Sequence, residues 1–307
     1  MNKQQQSVAG SKKREKLSSL YEGLSPGEQI LVQFCSLFME PVSMTTVIRC
    51  FDVTGIAFAG SGKTSWQNLQ PALKRIVKLG LVDDHYQCPE SFREIVTRRA
   101  VAEGHFEKMA RSIQRLMPGN RYLSRYSPEY DWRRVLRDFR IAFYRQDSRE
   151  VKTLYDSMLR FCPMPYRTPD PFLRVCNQPF DRVWFGTLPL DLRSAALSRI
   201  LLQSLIFLEP DEAPLNGALD LVSGDRLTEQ GGLPLPEVLA LRPLLHILIL
   251  RLLLGGRLAD ARQLLREIGG KEEGYTDGLQ GCLYFLEGKN EEAIAATESD
   301  LRLLARK

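Results

Sequence analysis

Residues Thr64 to Val82 read TSWQNLQPALKRIVKLGLV, and the interpretation of this stretch decides the fold. Thr64 suits a helix N-cap, and Gln67 follows three residues later at capping-box spacing. Leu69, Leu73, Ile76 and Val77 recur at helical intervals and form one apolar stripe. Gly80 supplies the left-handed residue that closes a helix, and Leu81 and Val82 open an extended segment. Gln67, Gln70, Lys74 and Lys78 fall largely off the stripe, where they face solvent or a ligand.

Two helices are expected before this one. Ser25-Pro26-Gly27-Glu28 combines an N-cap, a proline at the first helical position and a capping-box glutamate. Ile30, Leu31, Phe34, Leu37 and Phe38 then mark a buried face. Ser43 caps a shorter helix carrying Met44, Val47 and Ile48. After Gly80, Leu81 to Cys88 read as two short strands around a polar turn. Helix, helix, helix and wing is the order of a winged helix, in which the third helix lies in the DNA major groove. This assigns Lys63, Gln67, Gln70, Lys74 and Lys78 as candidate nucleic-acid contacts. Trp66 fits a core position better than a groove contact. Asp83 and Asp84 in the wing oppose phosphate, which leaves protein docking open as the use of this domain.

A competing motif overlaps the helix start. Ala57 to Thr64 read AFAGSGKT, a relaxed nucleotide-binding loop in which Gly62, Lys63 and Thr64 are the candidate phosphate and magnesium contacts. Such a loop follows a buried strand in a βαβ unit, whereas Ser43 to Phe51 read as helix and no later strand ends in an aspartate. The context favours a glycine-rich turn leading into a capped helix.

The chain has 307 residues, enough for two domains, with 44% hydrophobic residues, a formal charge of +5 and a pI near 8.9. The mild basicity permits an anionic partner without requiring one. The first twenty residues lack the apolar run of a secretory signal. The most apolar segment, Leu233 to Leu254, contains Glu237, Arg242, His246 and Arg251, which argues against a membrane span. Six cysteines are scattered without a CxxC pair, and three histidines lie far apart, so no metal site and no cofactor are expected. Cys35, Cys50 and Cys282 fall in apolar helical patterns and read as core residues of a reduced, cytoplasmic protein. No acid–base pair or nucleophile triad stands out, so no catalytic residue is assigned.

Residues 1–22 read as a basic, disordered tail or irregular helix, with Lys12, Lys13, Arg14 and Lys16 clustered against Glu15. Residues 23–117 form the winged-helix domain with trailing helices over Ser91 to Met117. On those helices Arg93, Arg98, Arg99, Lys108, Arg111 and Arg115 read as a solvated face. Residues 118–307 are helical. Tyr130 to Phe143 and Arg149 to Phe161 make a hairpin turned at Gln146-Asp147. Arg121 to Arg145 mix seven arginines with tyrosine and tryptophan, a composition that suits nucleic-acid binding but more often packs helices. The last two hairpins align Ala261 with Ala293, a period of 32 (293 − 261), close to a tetratricopeptide (TPR) repeat. The expected fold is therefore mainly α, an N-terminal winged helix followed by a TPR-like helical solenoid.

With this layout, Pro179-Phe180-Asp181-Arg182-Val183-Trp184-Phe185, then Leu188-Pro189-Leu190-Asp191-Leu192-Arg193, and the terminal FLEGKNEEAIAATESDLRLL resemble the N-terminal region of large bacterial Swi/Snf-type helicases. In that family an ATP-driven DNA translocase motor follows. No motor motif is present here, so no catalytic residue carries over, and the chain ends in a helical repeat as a fragment or a motor-less relative would. The resemblance implies a non-enzymatic accessory module whose partners are DNA and a motor domain or another protein. A stand-alone winged-helix transcription regulator with a TPR-like sensing domain is the alternative. A nucleotide-binding enzyme using Gly62, Lys63 and Thr64 is the third reading.

Overall fold

The computed structural model describes residues 3–58, 66–119, 128–161, 170–207, 212–223, 235–269 and 277–304. These residues are mainly helical, and no strand occurs among them. The chain divides into two units, Met1–Asp181 and Arg182–Lys307.

The first unit contains α1 (Lys3–Glu22), α2 (Pro26–Cys35), α3 (Met44–Val53), α4 (Trp66–Lys78), α5 (Glu90–Ala102), α6 (Phe106–Leu116), α7 (Pro128–Tyr144), α8 (Ser148–Phe161) and α9 (Pro171–Cys176). The capping box at Ser25 and Glu28 forms, and Ser43 Oγ accepts the Thr46 amide at the start of α3. Residues 1–22, read from sequence as a disordered tail or irregular helix, hold α1. Its last turns are docked, with Leu17 and Tyr21 buried and the Tyr21 ring edge-on to Phe92 at 6.0 Å. Gln33 donates to the Tyr21 hydroxyl at 2.8 Å.

The two strands expected over Leu81 to Cys88 are replaced by a turn. Asp83 Oδ1 accepts the amides of His85 and Gln87 at 2.9 and 2.8 Å, and the Asp83 amide donates to the Gln87 carbonyl. A side chain thus satisfies the donors that a ladder partner would have taken. Tyr86 at φ 58° completes the reversal.

The domain boundary expected at residue 118 also moves, because α7 is pinned to the first helices by buried ion pairs. Arg140 Nε donates to Glu94 Oε1 at 2.9 Å, its Nη1 to the Ser36 carbonyl at 3.1 Å and its Nη2 to Thr97 Oγ1 at 3.1 Å. The Tyr144 hydroxyl donates to the other Glu94 oxygen at 2.8 Å. One turn earlier, Arg137 pairs with Glu40 and donates to the Met117 carbonyl at 2.7 Å. Arg137 and Glu40 are both fully buried. Phe139, Phe143, Tyr155 and Phe172 join α7, α8 and α9 in one aromatic cluster with centroids 5.1–6.3 Å apart.

The second unit contains α10 (Arg182–Gly186), α11 (Leu190–Phe207), α12 (Glu212–Ser223), α13 (Leu235–Leu254), α14 (Leu258–Gly269), α15 (Asp277–Leu286) and α16 (Asn290–Leu304). No helix among the described residues is long and apolar enough to cross a membrane.

One turn joins four helix pairs. At Gly104, Gln146, Gly256 and Gly288 the backbone is left-handed, with φ of 75°, 58°, 73° and 77°. At each, its amide donates to the carbonyl three residues back and the next amide to the carbonyl five residues before it. The following helix then starts on the next carbonyl, as in Asp147 O accepting from Val151 N. These are Schellman caps, and Gln146 is the one side-chain-bearing residue of the four. Replacing Gln146 with Gly should raise stability by about 1 kcal/mol, because the left-handed conformation penalises a Cβ by about that much; chemical denaturation measures it, and a loss of stability would refute the strain. Arg140→Met should destabilise by about 3 kcal/mol or more by stranding the Glu94 carboxylate, and adding Glu94→Met should recover much of the loss; a double-mutant cycle reads the coupling.

Candidate functional site

Helix α4 buries Leu69, Ala72, Leu73 and Ile76 and turns the opposite side outward. Gly80 closes it at φ 72°, with the Gly80 amide on the Val77 carbonyl and the Leu81 amide on the Ile76 carbonyl, while Ile76 and Leu81 are both fully buried. Of the residues assigned from sequence, Gln67, Lys74 and Lys78 are exposed and Gln70 is half-buried. Successive steps of three and four residues place the four on one stripe opposite the buried one. Pro71 also lies outward, where the backbone bond it cannot donate is least costly. The helix carries no carboxylate, and Arg75 and Lys78 occupy its last turn. Lys63, with Gly62 and Thr64 of the alternative phosphate loop, lies outside the described residues.

Trp66, expected in the core, is 44% exposed at the first position of α4. Residue 66 falls within about 20° of Leu73 at 100° per residue, but it opens the helix, about a turn before the first buried residue, Leu69.

The orientation of α4 is fixed from α2. Glu28 Oε2 accepts the Ser25 amide at 3.0 Å and the Ser25 hydroxyl at 2.7 Å, while Glu28 Oε1 accepts Arg75 Nη1 at 3.0 Å. One carboxylate therefore caps α2 and holds α4. Burial pushes the Glu28 carboxyl up, but the Ser25 bonds and the Arg75 guanidinium outweigh it and hold the carboxyl below its usual range.

The other basic candidates are redistributed. On α5, read as a solvated face, Arg93 is buried and donates to the Cys88 carbonyl at 2.7 Å. Arg98 donates to the carbonyls of Val175 and Pro179. Lys108, Arg111 and Arg115 are exposed as expected. In the arginine-rich stretch, Arg137 and Arg140 are unavailable to any ligand, Arg145 is engaged with Glu107 and Gln114, and Arg121 and Arg125 lie outside the described residues. On α1, Lys12, Lys13 and Lys16 are exposed.

Among the described residues four cysteines are buried, and burial pushes the thiols of Cys50 and Cys88 up to about 11 and about 12, so both stay protonated at neutral pH. Cys282, expected in the core, is exposed. No cluster of three metal-ligating side chains occurs among the described residues.

No protein-family model matches the chain. Searches of curated proteins and of solved structures return no match.

A lowered carboxyl in the folded state stabilises above its unfolded value near 4.3 and ceases to do so as pH falls through the folded value. Glu28→Gln should therefore cost about 1 kcal/mol at pH 7, with the difference from wild type shrinking as pH falls below the unfolded value of about 4.3 and through the lower folded one. Urea titrations across pH test this, and a difference that persisted in acid would show that charge is not involved.

Proposed function

We propose that the chain is a non-enzymatic accessory module that binds nucleic acid through the outward face of α4. One observation carries this: Gln67, Gln70, Lys74 and Lys78 share a solvent-facing stripe on a helix without a carboxylate, held by Glu28 and Arg75. Lysines position phosphate, and glutamines can reach base edges. The order of α2, α3 and α4 is that of a winged helix, with the Asp83 turn in the place of the wing. On this reading α4 is the recognition helix.

The resemblance of residues 179–193 and of the final hairpin to the N-terminal region of bacterial Swi/Snf-type helicases supplies the setting. The module would act beside an ATP-driven DNA translocase, with the helices of the second unit holding the motor or another protein in the cytoplasm.

Fluorescence anisotropy with duplex DNA across a salt series tests the proposal. Binding should weaken as salt rises, because each neutralised phosphate releases counterions. Lys74→Glu with Lys78→Glu should raise Kd by about tenfold or more, an effect of roughly 1.4 kcal/mol. Full affinity in that double variant would remove α4 as the site, and no binding at low salt would remove nucleic acid as the ligand. An affinity ratio between one sequence and random DNA of about a thousandfold or more would turn the reading towards a transcription regulator.

A further inference from the structure

In the second unit, hairpin α15–α16 repeats hairpin α13–α14 bond for bond. Gly256 N to Leu253 O becomes Gly288 N to Phe285 O, and Arg257 N to Leu252 O becomes Lys289 N to Tyr284 O. Ala261 N to Arg257 O becomes Ala293 N to Lys289 O, each pair 32 residues on. Within the second hairpin the helices approach closely at Gly281, where a Cβ would stand 3.3 Å from the Ala293 carbonyl oxygen.

Among the described residues the first hairpin is covered and the second is not. Helix α15 packs on α13 and α14, with Leu279 and Leu283, four residues apart, buried. Leu253 and Leu265 of the covered hairpin are each 3% exposed. Their counterparts 32 residues on are Phe285, 67% exposed, and Thr297, also exposed. The uncovered face opens onto an apolar groove of about 790 Å³, continuous with the α13–α15 seam because Leu253 and Leu254 line it together with Phe285 and Ile294. Among the described residues its one charged lining residue is Glu298, on a helix whose first turn also exposes Glu291 and Glu292.

We propose that this groove is the docking site for an amphipathic α-helix of a protein partner. The occupant presents leucine-type side chains at i and i+4, as α15 does to the preceding hairpin, and carries a lysine or arginine on its flank facing Glu298. The internal repeat provides the template for its shape, and Glu298 sets its charge. This site lies in the second unit and does not depend on nucleic-acid binding by α4.

The test uses the full chain and a fluorescein-labelled helical peptide of about 20 residues, long enough to hold several turns. The peptide carries leucines at i, i+4, i+7 and i+11 flanked by lysine, and a matched peptide has serine for leucine. The leucine peptide should bind and the serine peptide should not. Phe285→Asp and, independently, Ile294→Asp should each weaken binding by at least about tenfold. Both side chains are more than half exposed, so circular dichroism should show folding unchanged. Glu298→Lys should weaken the lysine-flanked peptide more than one with neutral flanks. The proposal is overturned if the leucine peptide fails to bind, or if it binds wild type and both aspartate variants equally. It is also overturned if sedimentation shows a wild-type dimer that Phe285→Asp converts to monomer, since a second copy then fills the groove.

Discussion

The Glu94 carboxylate accepts from both Arg140 and Tyr144, and the integrity of the first unit depends on it. A charge buried to this degree is tolerated only when its hydrogen-bonding positions are filled. Arg140 fills the remaining directions of its own fork with the Ser36 carbonyl and Thr97. Four segments are thereby held to one point: the end of α2, the body of α5 and two successive turns of α7. Arg137 and Glu40 repeat the arrangement a turn away. Helices α7 to α9 are thus part of the core of the first unit, and the aromatic cluster around Phe139 and Phe172 extends that core outward.

The helix pairs use a different and more local device. The same left-handed cap recurs at residues 104, 146, 256 and 288, and it fixes both the exit from one helix and the first backbone bond of the next. Because the turn is set by a few backbone bonds, hairpins of unrelated sequence share one geometry. The 32-residue repeat then requires only that the apolar positions recur in phase, and they do so in part: Leu253 becomes Phe285, but Leu265 becomes Thr297.

Local signals were legible in the sequence, and partner-dependent ones were not. The Ser25 capping box, the Ser43 cap, Gly80 and the Gln146-Asp147 turn all appear as read, because each acts within a few residues. The outward stripe of α4 was legible for the same reason, as helical phase depends on spacing alone. On α5 the solvated face expected from sequence fails at Arg93 and Arg98, because a guanidinium looks identical in sequence whether it meets water or a buried carbonyl; on α7 the packing role expected for the arginines is the one found, as Arg140 meets Glu94 46 residues away. The wing failed because Asp83 can replace a strand partner with its own side chain. The docked end of α1 did carry a signal, since Leu17, Leu20, Tyr21 and Leu24 fall at helical spacing. The lysine cluster beside them drew the reading towards a solvated tail.

These assignments change the meaning of the net charge. A formal +5 suggests a diffuse basic surface, yet Arg93, Arg98, Arg137 and Arg140 direct their charge inward to carbonyls and carboxylates. Arginine suits that role, because its planar fork makes several bonds at once and stays ionised when buried. Exposed lysines on α1 and α4 remain at the surface, and the α4 pair stands on a helix with no acid to neutralise it. Binding strength for a polyanion follows local charge within a Debye length, about 10 Å at moderate salt, rather than the total over the chain. Lys74 and Lys78, one helical turn and about 6 Å apart, lie well within that length, so on the proposed reading they act on a phosphate together. Glu298, which lines the groove of the second unit, would favour the opposite sign of partner. On the two proposals one unit holds a polyanion and the other a basic helix, and each surface selects against the other's ligand.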